Sequence, residues 1–168
     1  MIELRILSAA EIIELLPALV SLLQDAVDSG ASVGFLPPLT HEEAEQFWRE
    51  AASDEHRVVI AAFDDKQPVG CVQLALATKA NGSHRAEVQK LMVHTSQRGR
   101  GIAPDLMRRA EEEAANRGRT TVVLDTRKGD TAEKLYERLG YVRAGEIPRY
   151  ARGASGDLHA TVFFYKLL

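Results

Sequence analysis

Two hydrophobic periods mark the start of the chain, one typical of a strand and one of a helix. Polar and apolar residues alternate over residues 3–7, which predicts a strand. Apolar residues then recur every three or four positions over residues 12–26, which predicts a helix. Ser8 and Glu11 precede this helix with the spacing of a capping box. Because Pro17 lies inside the helical run, we expect a kink or a restart there.

The rest of the chain mixes strands and helices. Thr40 and Glu43 have the spacing of a second capping box, which predicts another helix. Apolar runs predict strands over residues 57–63, 69–78, 85–93, 121–125, 141–144 and 160–167, and helical periods follow residues 101 and 130. We expect residues 145–159 to be a long irregular connection, a kind of segment that often carries function. This order predicts an α/β fold with helices on both faces of a twisted mixed sheet, and residues 1–168 as one domain.

Composition excludes several classes of protein. Hydrophobic residues make up 45% and charged residues 27% of the chain, which argues against disorder. No apolar run is long enough for a membrane helix, and the N-terminal residues lack the pattern of a signal peptide. The one cysteine, Cys71, forms no internal disulfide, and the histidines are too scattered to bind a metal. We therefore expect a cytoplasmic protein with no metal and no membrane partner.

Charge is distributed unevenly along the chain. Residues 79–128, the basic segment, carry eleven Lys and Arg against six Asp and Glu, a net charge of +5, whereas the other residues carry a net −8. This suggests a local anionic ligand, but from charge alone we favour chance clustering of basic residues on solvated helix faces. We do not expect the ligand to be a nucleic acid, because the basic segment has no Phe, Tyr or Trp to stack on bases.

A glycine-punctuated stretch, residues 98–103, lies between a predicted strand and a predicted helix. Gly99 and Gly101 let the backbone turn tightly and approach a ligand closely. The first N–H groups of a helix lack partners, and together with the helix dipole and two arginines they would bind a phosphate or diphosphate. The dinucleotide fingerprint needs a third glycine where Pro104 stands, and the GxxxxGK[ST] loop is absent, so neither known nucleotide motif accounts for this stretch.

These residues resemble the signatures of the GNAT superfamily of acetyl-coenzyme A-dependent N-acetyltransferases. Residues 98–103 are similar to its Q/R-x-x-G-x-G/A signature, and residues 132–141 are similar to its A-x-x-L-Y-x-x-x-G-F/Y signature. Gly101 and Lys134 are separated by 33 positions, as in the GNAT core. Residues 30–35, residues 85–93 and the pair Leu158 and His159 resemble the subgroup of the tabtoxin-resistance acetyltransferase.

The resemblance implies acetyl-CoA as co-substrate and a place for each of its parts. The backbone of Leu91, Met92 and Val93 would bind the pantetheine arm. The loop would hold the pyrophosphate through residues Arg98, Gly99, Arg100, Gly101, Ile102 and Ala103. Tyr136, the tyrosine of the second signature, would lie near the thioester sulfur, although its helical spacing also suits packing in the core.

Acyl transfer to an amine needs a group that removes a proton from the ammonium form. Glu87, which stands alone among acidic residues between Asp65 and Asp105, lies in a strand that the resemblance assigns to the co-substrate. A carboxylate there is costly to bury without a role or a partner. Asp125 is the second candidate. The structural alternatives are, for Glu87, an ion pair with Arg85 or Lys90 or simple exposure to solvent, and for Asp125 a cap of the next turn.

The resulting hypothesis is an enzyme that moves acetyl directly to a primary amine of a small amino-acid-like or toxin-like molecule, with a role in resistance. We expect residues 29–36 and 145–159, including Tyr150, to form the acceptor pocket. The alternatives are acetylation of a protein N-terminus or lysine, and an acyl-CoA sensor without turnover. A homodimer is left open.

Overall fold

The computed structural model describes residues 1–168, which form a seven-stranded sheet with helices on both faces. The elements are β1 (Ile2–Leu7), α1 (Ala9–Glu14), α2 (Leu16–Asp28), α3 (His41–Ser53), β2 (Arg57–Asp64), β3 (Gln67–Leu76), β4 (Arg85–Val93), α4 (Ile102–Asn116), β5 (Thr121–Arg127), α5 (Thr131–Arg138), β6 (Val142–Arg152) and β7 (Leu158–Leu167). The strands lie in the order β1-β2-β3-β4-β5-β7-β6, and β4 and β5 are the parallel pair. The predicted α/β fold is confirmed. None of the five helices combines the length and apolar character that a bilayer crossing requires.

Local signals fix where the first helices begin. The Ser8 hydroxyl accepts a hydrogen bond from the Glu11 N–H at 3.3 Å, and the Glu11 carboxylate accepts one from the Ser8 N–H at 2.8 Å. Thr40 and Glu43 make the same reciprocal pair at the start of α3. The expected interruption at Pro17 is present, because α1 ends before it and α2 begins with the proline in its first turn, where no N–H is needed.

Each face of the sheet has its own hydrophobic core. On one face α1, α2 and α3 cover a cluster of 19 buried residues around Trp48, whose indole N–H donates to the Leu19 carbonyl at 2.9 Å. On the other face α4 and α5 cover a second cluster of 19 buried residues that includes Leu106 and Phe164. Successive side chains of a strand point to opposite faces of the sheet. A polar residue whose two neighbours belong to one core therefore lies on the face of the other core.

The expectation of an irregular connection over residues 145–159 is wrong. β6 continues to Arg152 and β7 begins at Leu158, so most of the segment is a hairpin with a short turn and an irregular register between Ile147 and Ala151. Residues 142–150 of β6 are exposed, because this strand is the edge of the sheet. An exposed edge strand lacks the buried alternation by which a strand is detected in a sequence.

The parallel strands β4 and β5 separate soon after they meet. They are in register only from Arg85 to Glu87 on β4, although β4 continues to Val93 and β5 to Arg127. Between the pairs Gln73–Gln89 and Cys71–Met92, β4 contains one residue more than β3, and Lys90 has a left-handed φ of 53°. This bulge bends β4 away from β5. A cleft opens between the two strands, with the backbone of β4 along its wall.

Candidate active site

The space between β4 and β5 is a cleft of about 750 Å³. Its lining comes from six parts of the chain: β4, the loop before α4, the end of β5, the start of α5, the β6–β7 hairpin and the loop after α2. Glu87, Asp125, Tyr136 and Tyr150, all chosen from the sequence, line this one cleft. Leu91, Met92 and Val93 line it as well.

Hydrogen-bond donors without protein partners are concentrated in the glycine loop. Gly99 and Gly101 have left-handed φ values of 78° and 80°, and Gly101, the N-cap of α4, has no side chain with which to cap the helix. The backbone N–H groups of residues 99–103 donate to no protein acceptor, and the next residue, Pro104, has no N–H. Consecutive free N–H groups at a helix N-terminus suit a diphosphate. The loop therefore fits the co-substrate that its sequence implies.

The structure differs from the sequence-based expectation on the two loop arginines. Arg100 donates to the Asp64 carboxylate at 2.7 Å, holds the pKa of Asp64 below its usual value, and is not among the residues that line the cleft. Arg98 does line the cleft, but its guanidinium donates to Ser29 Oγ at 2.8 Å and to the Val93 carbonyl at 3.3 Å. Both side chains are engaged by protein groups, so the loop offers its amides rather than two free guanidinium groups.

Glu87 is a half-buried carboxylate in the wall of the cleft that forms no salt bridge and no hydrogen bond with the protein. The ion pairs with Arg85 or Lys90 that were one structural alternative are not formed. On β4, Glu87 alternates with Ala86 and Val88, which belong to the core under α4 and α5. Its side chain therefore lies on the face of α1, α2 and α3, where a carboxylate without a partner is free to bind a cation.

Asp125 lies on the neighbouring strand and is held in place by one hydrogen bond. The Thr161 hydroxyl, buried on β7, donates to Asp125 Oδ2 at 2.7 Å. The turn cap that was the structural alternative for Asp125 is not formed, because β5 continues past it to Arg127. Val123 pairs with Glu87, so Asp125, two residues further on, is on the same face as Glu87.

Tyr136 both packs in the core and lines the cleft. Its side chain is 6% exposed, and its ring lies 5.9 Å from the ring of Tyr141 and 5.8 Å from that of Phe164. Its hydroxyl forms no hydrogen bond with another protein group, while the residue lines the cleft. Burial, with the nearby charges of Asp130 and Asp125, raises the pKa of Tyr136 above its usual range. The phenol is therefore protonated at neutral pH and available as a proton donor.

Lys90 is a cleft residue that sequence reasoning did not select. Its Nζ donates to the Val33 carbonyl at 2.6 Å and lies 5.6 Å and 5.7 Å from the ring centroids of Phe35 and Phe47. Burial is the main cause that lowers its pKa, followed by the charge of Arg57. Lys90 therefore connects the loop after α2 to the bulge of β4 through a side-chain hydrogen bond. The signal in the sequence that could have identified Lys90 is its position in the strand that the resemblance assigns to the co-substrate.

Cys71 is not available as a nucleophile. It is fully buried, and burial raises the pKa of its thiol to about 12. We expect the folded protein to resist alkylation by iodoacetamide at pH 8 for hours, whereas one thiol per chain reacts in denaturant. Mass spectrometry of both samples measures this. Rapid labelling of the folded chain would contradict the buried position of this thiol.

The fold and the cleft together define a class of protein, the acyl-CoA-dependent transferases. The cleft combines a strand edge without a β5 partner, a helix N-terminus with free N–H groups, and two carboxylates and a phenol among its lining residues.

Comparison with known proteins identifies the family. The acetyltransferase (GNAT) family matches residues 21–141. Acetyltransferase Atu2258 of Agrobacterium fabrum is 32% identical over 137 residues, which cover 79% of this chain and 91% of that protein. The chain therefore belongs to the GNAT family of acetyltransferases, and acetyl-CoA is its co-substrate.

Solved structures share the fold at low sequence identity. An N-acetyltransferase from Staphylococcus aureus has a TM-score of 0.83 and 21% identity, over 99% of this chain and 98% of that one. A putative acetyltransferase from Salmonella typhimurium, solved with its cofactor acetyl-CoA, has a TM-score of 0.81 and 17% identity, over 100% of this chain and 94% of that one. The assignment to the tabtoxin-resistance subgroup stays a prediction.

Proposed function

We propose that the chain transfers acetyl from acetyl-CoA directly to the primary amine of a small amino-acid-like or toxin-like molecule. The observation that carries this proposal is the unpaired, half-buried carboxylate of Glu87 in the cleft wall, with Asp125 on the adjacent strand. Two carboxylates on one face of the sheet suit an ammonium group. A cationic acceptor therefore has a binding partner next to the free edge of β4.

We assign the co-substrate to the free backbone groups of the cleft. The backbone of Leu91, Met92 and Val93 binds the amides of the pantetheine arm, since the edge of β4 that faces β5 has no strand partner there. The N–H groups of residues 99–103 bind the diphosphate. When bound, acetyl-CoA supplies an activated acetyl thioester. An N–H of β4 near Met92 stabilises the negative charge that develops on the acyl oxygen.

The protein side chains manage two protons. Glu87 takes a proton from the ammonium, directly or through one water, because an ammonium has no lone pair with which to attack. Asp125, oriented by Thr161, holds the amine in place. As the new N–C bond forms and the C–S bond breaks, Tyr136 donates its proton to the departing sulfur. The second proton of the amine nitrogen returns to the Tyr136 oxygen, the proton on Glu87 passes to the solvent, and the amide and the free thiol leave.

The dimensions of the acceptor side support a small molecule. A second hollow of about 300 Å³ adjoins the cleft between the loop at residues 30–37 and the hairpin at residues 151–159. This acceptor hollow has walls on two sides, whereas a lysine or the N-terminus of a folded protein needs an open groove. Pockets of a few hundred Å³ are typical for small ligands.

The test is release of coenzyme A. Purified protein is mixed with acetyl-CoA and a panel of free amino acids, polyamines and short peptides, and free thiol is measured with a chromogenic disulfide. We expect release that depends on a small amine. Release with peptides alone would favour a protein acetyltransferase, and binding of acetyl-CoA by calorimetry without any release would favour a sensor. No uptake of coenzyme A or acetyl-CoA would contradict the proposed co-substrate site.

A further inference from the structure

Arg127, the last residue of β5, has a guanidinium group without a protein partner. The side chain is half-buried and forms neither a salt bridge nor a hydrogen bond. Among the charged side chains it is the one that lines both the main cleft and the acceptor hollow. Removing a guanidinium from water is costly unless an anion replaces the lost hydration, and its fork of donors matches a carboxylate. The position therefore suits an anionic part of a bound molecule.

Arg127 lies where a cleft that contains carboxylates meets a hollow that contains none. The acceptor hollow is lined by Arg127, Arg152 and His159 and by no Asp or Glu. Arg152 donates to the Gly156 carbonyl of its own hairpin at 2.8 Å, so Arg127 is the uncommitted guanidinium.

The main cleft contains both signs: the carboxylates of Glu87, Asp125 and Asp130, of which Asp130 caps α5, and the cations Lys90, Arg98 and Arg138. Lys90 and Arg98 donate to protein acceptors, whereas the Glu87 carboxylate has no protein partner. An ammonium group in the cleft therefore has a free carboxylate to bind, and a carboxylate that reaches the hollow has Arg127.

The spacing along β5 sets the length of such an acceptor. Asp125 and Arg127 are two residues apart and on the same face, and positions two apart on a strand are separated by roughly 6.6 Å. Their antiparallel partners on β7, Phe163 and Thr161, provide the surface between them. This short distance suits one small molecule whose ammonium and carboxylate are separated by a few bonds.

We propose that Arg127 binds the carboxylate of the acceptor, so that the substrate is a free amino acid or a close analogue with an intact acid group. This inference rests on the proposed N-acetyltransferase function. It adds that the enzyme distinguishes an amino acid from its carboxamide and from the N-terminus of a peptide, since neither of those has a carboxylate next to the reacting amine. Arg127 is then a specificity-determining residue that contacts the acceptor.

The experiment compares the common amino acids with their carboxamides as acceptors, for the wild-type protein, for Arg127→Gln and for Arg149→Gln. Arg149 is exposed, unpaired and outside both cavities, so its variant removes the same charge from the surface. We expect the wild type to favour acids. Loss of one charged hydrogen-bond partner should lower kcat/KM for the best acid by about tenfold or slightly more in Arg127→Gln and leave the carboxamide unchanged. Arg149→Gln should behave as the wild type.

A second readout does not depend on turnover. Calorimetry of the best amino acid with protein saturated with coenzyme A should show a similar loss of affinity in Arg127→Gln, while coenzyme A itself binds as to the wild type. Equal use of acids and carboxamides by the wild type, a preference for peptides, or loss of coenzyme A affinity in the variant would each overturn the inference and leave the acetyltransferase proposal standing. Failure to acetylate any amine would count against both.

Discussion

Replacing Glu87 with glutamine is expected to lower kcat/KM for the best amine by about 100-fold or more, the usual contribution of a general base. Glutamine keeps the size of the side chain and removes its ability to accept a proton. Because Glu87 makes no salt bridge or hydrogen bond in the protein, the substitution breaks no internal contact, and the midpoint of thermal unfolding should not change. Steady-state kinetics, calorimetry with coenzyme A and a thermal melt measure the three quantities.

The pH profile separates the loss of a base from a structural effect. Without a base, the variant depends on the fraction of amine that is already neutral, and this fraction grows with pH. The deficit of Glu87→Gln should therefore shrink as the pH rises toward the pKa of the acceptor amine. Glu3→Gln on β1, an exposed strand carboxylate outside the cleft, is the matched control and should retain wild-type rates. Full turnover by Glu87→Gln at every pH would remove Glu87 from the proton path.

The parts of the fold that could be predicted from the sequence depend on contacts between near neighbours in the chain. The capping boxes at Ser8 and Thr40 each join residues three apart, and the restart at Pro17 follows from one missing N–H. The glycine loop is similarly local, since left-handed φ values at Gly99 and Gly101 create the free amides by themselves. Such features can be recognised within a window of a few residues.

The features that escaped prediction depend on distant pairs. Arg100 was expected to bind an anionic ligand, but its guanidinium is already paired with the carboxylate of Asp64, 36 residues away in the sequence. Lys90 adopts its left-handed conformation because β4 must bulge between two strands, and it finds Val33 57 residues away. Arg127 is a candidate because two cavities meet at it, which only the folded chain brings about. The charge of a residue is evident from sequence, whereas the absence of a partner requires the fold.

Replacing Tyr136 with phenylalanine is expected to lower kcat by about 100-fold and to leave the affinity for coenzyme A unchanged. The ring stays in its place between Tyr141 and Phe164, and the lost hydroxyl has no hydrogen bond to a protein group. Binding should therefore be preserved while the departing sulfur loses its proton donor. Because burial raises the pKa of the phenol, wild-type activity should show no fall from tyrosine ionisation until strongly alkaline pH.

Tyr141→Phe is the control that separates proton donation from packing. Tyr141 is 4% exposed, shares the same hydrophobic cluster and has a buried hydroxyl without a partner, but it does not line the cleft. Removing an unpartnered buried hydroxyl should not destabilise the protein, and this variant should keep wild-type kcat. A similar loss in both variants would mean that packing of the tyrosine pair sets the rate. Normal turnover in Tyr136→Phe would mean that water, not Tyr136, donates the proton to sulfur. Catalysis would then depend on Glu87 and on the backbone amides of the cleft alone.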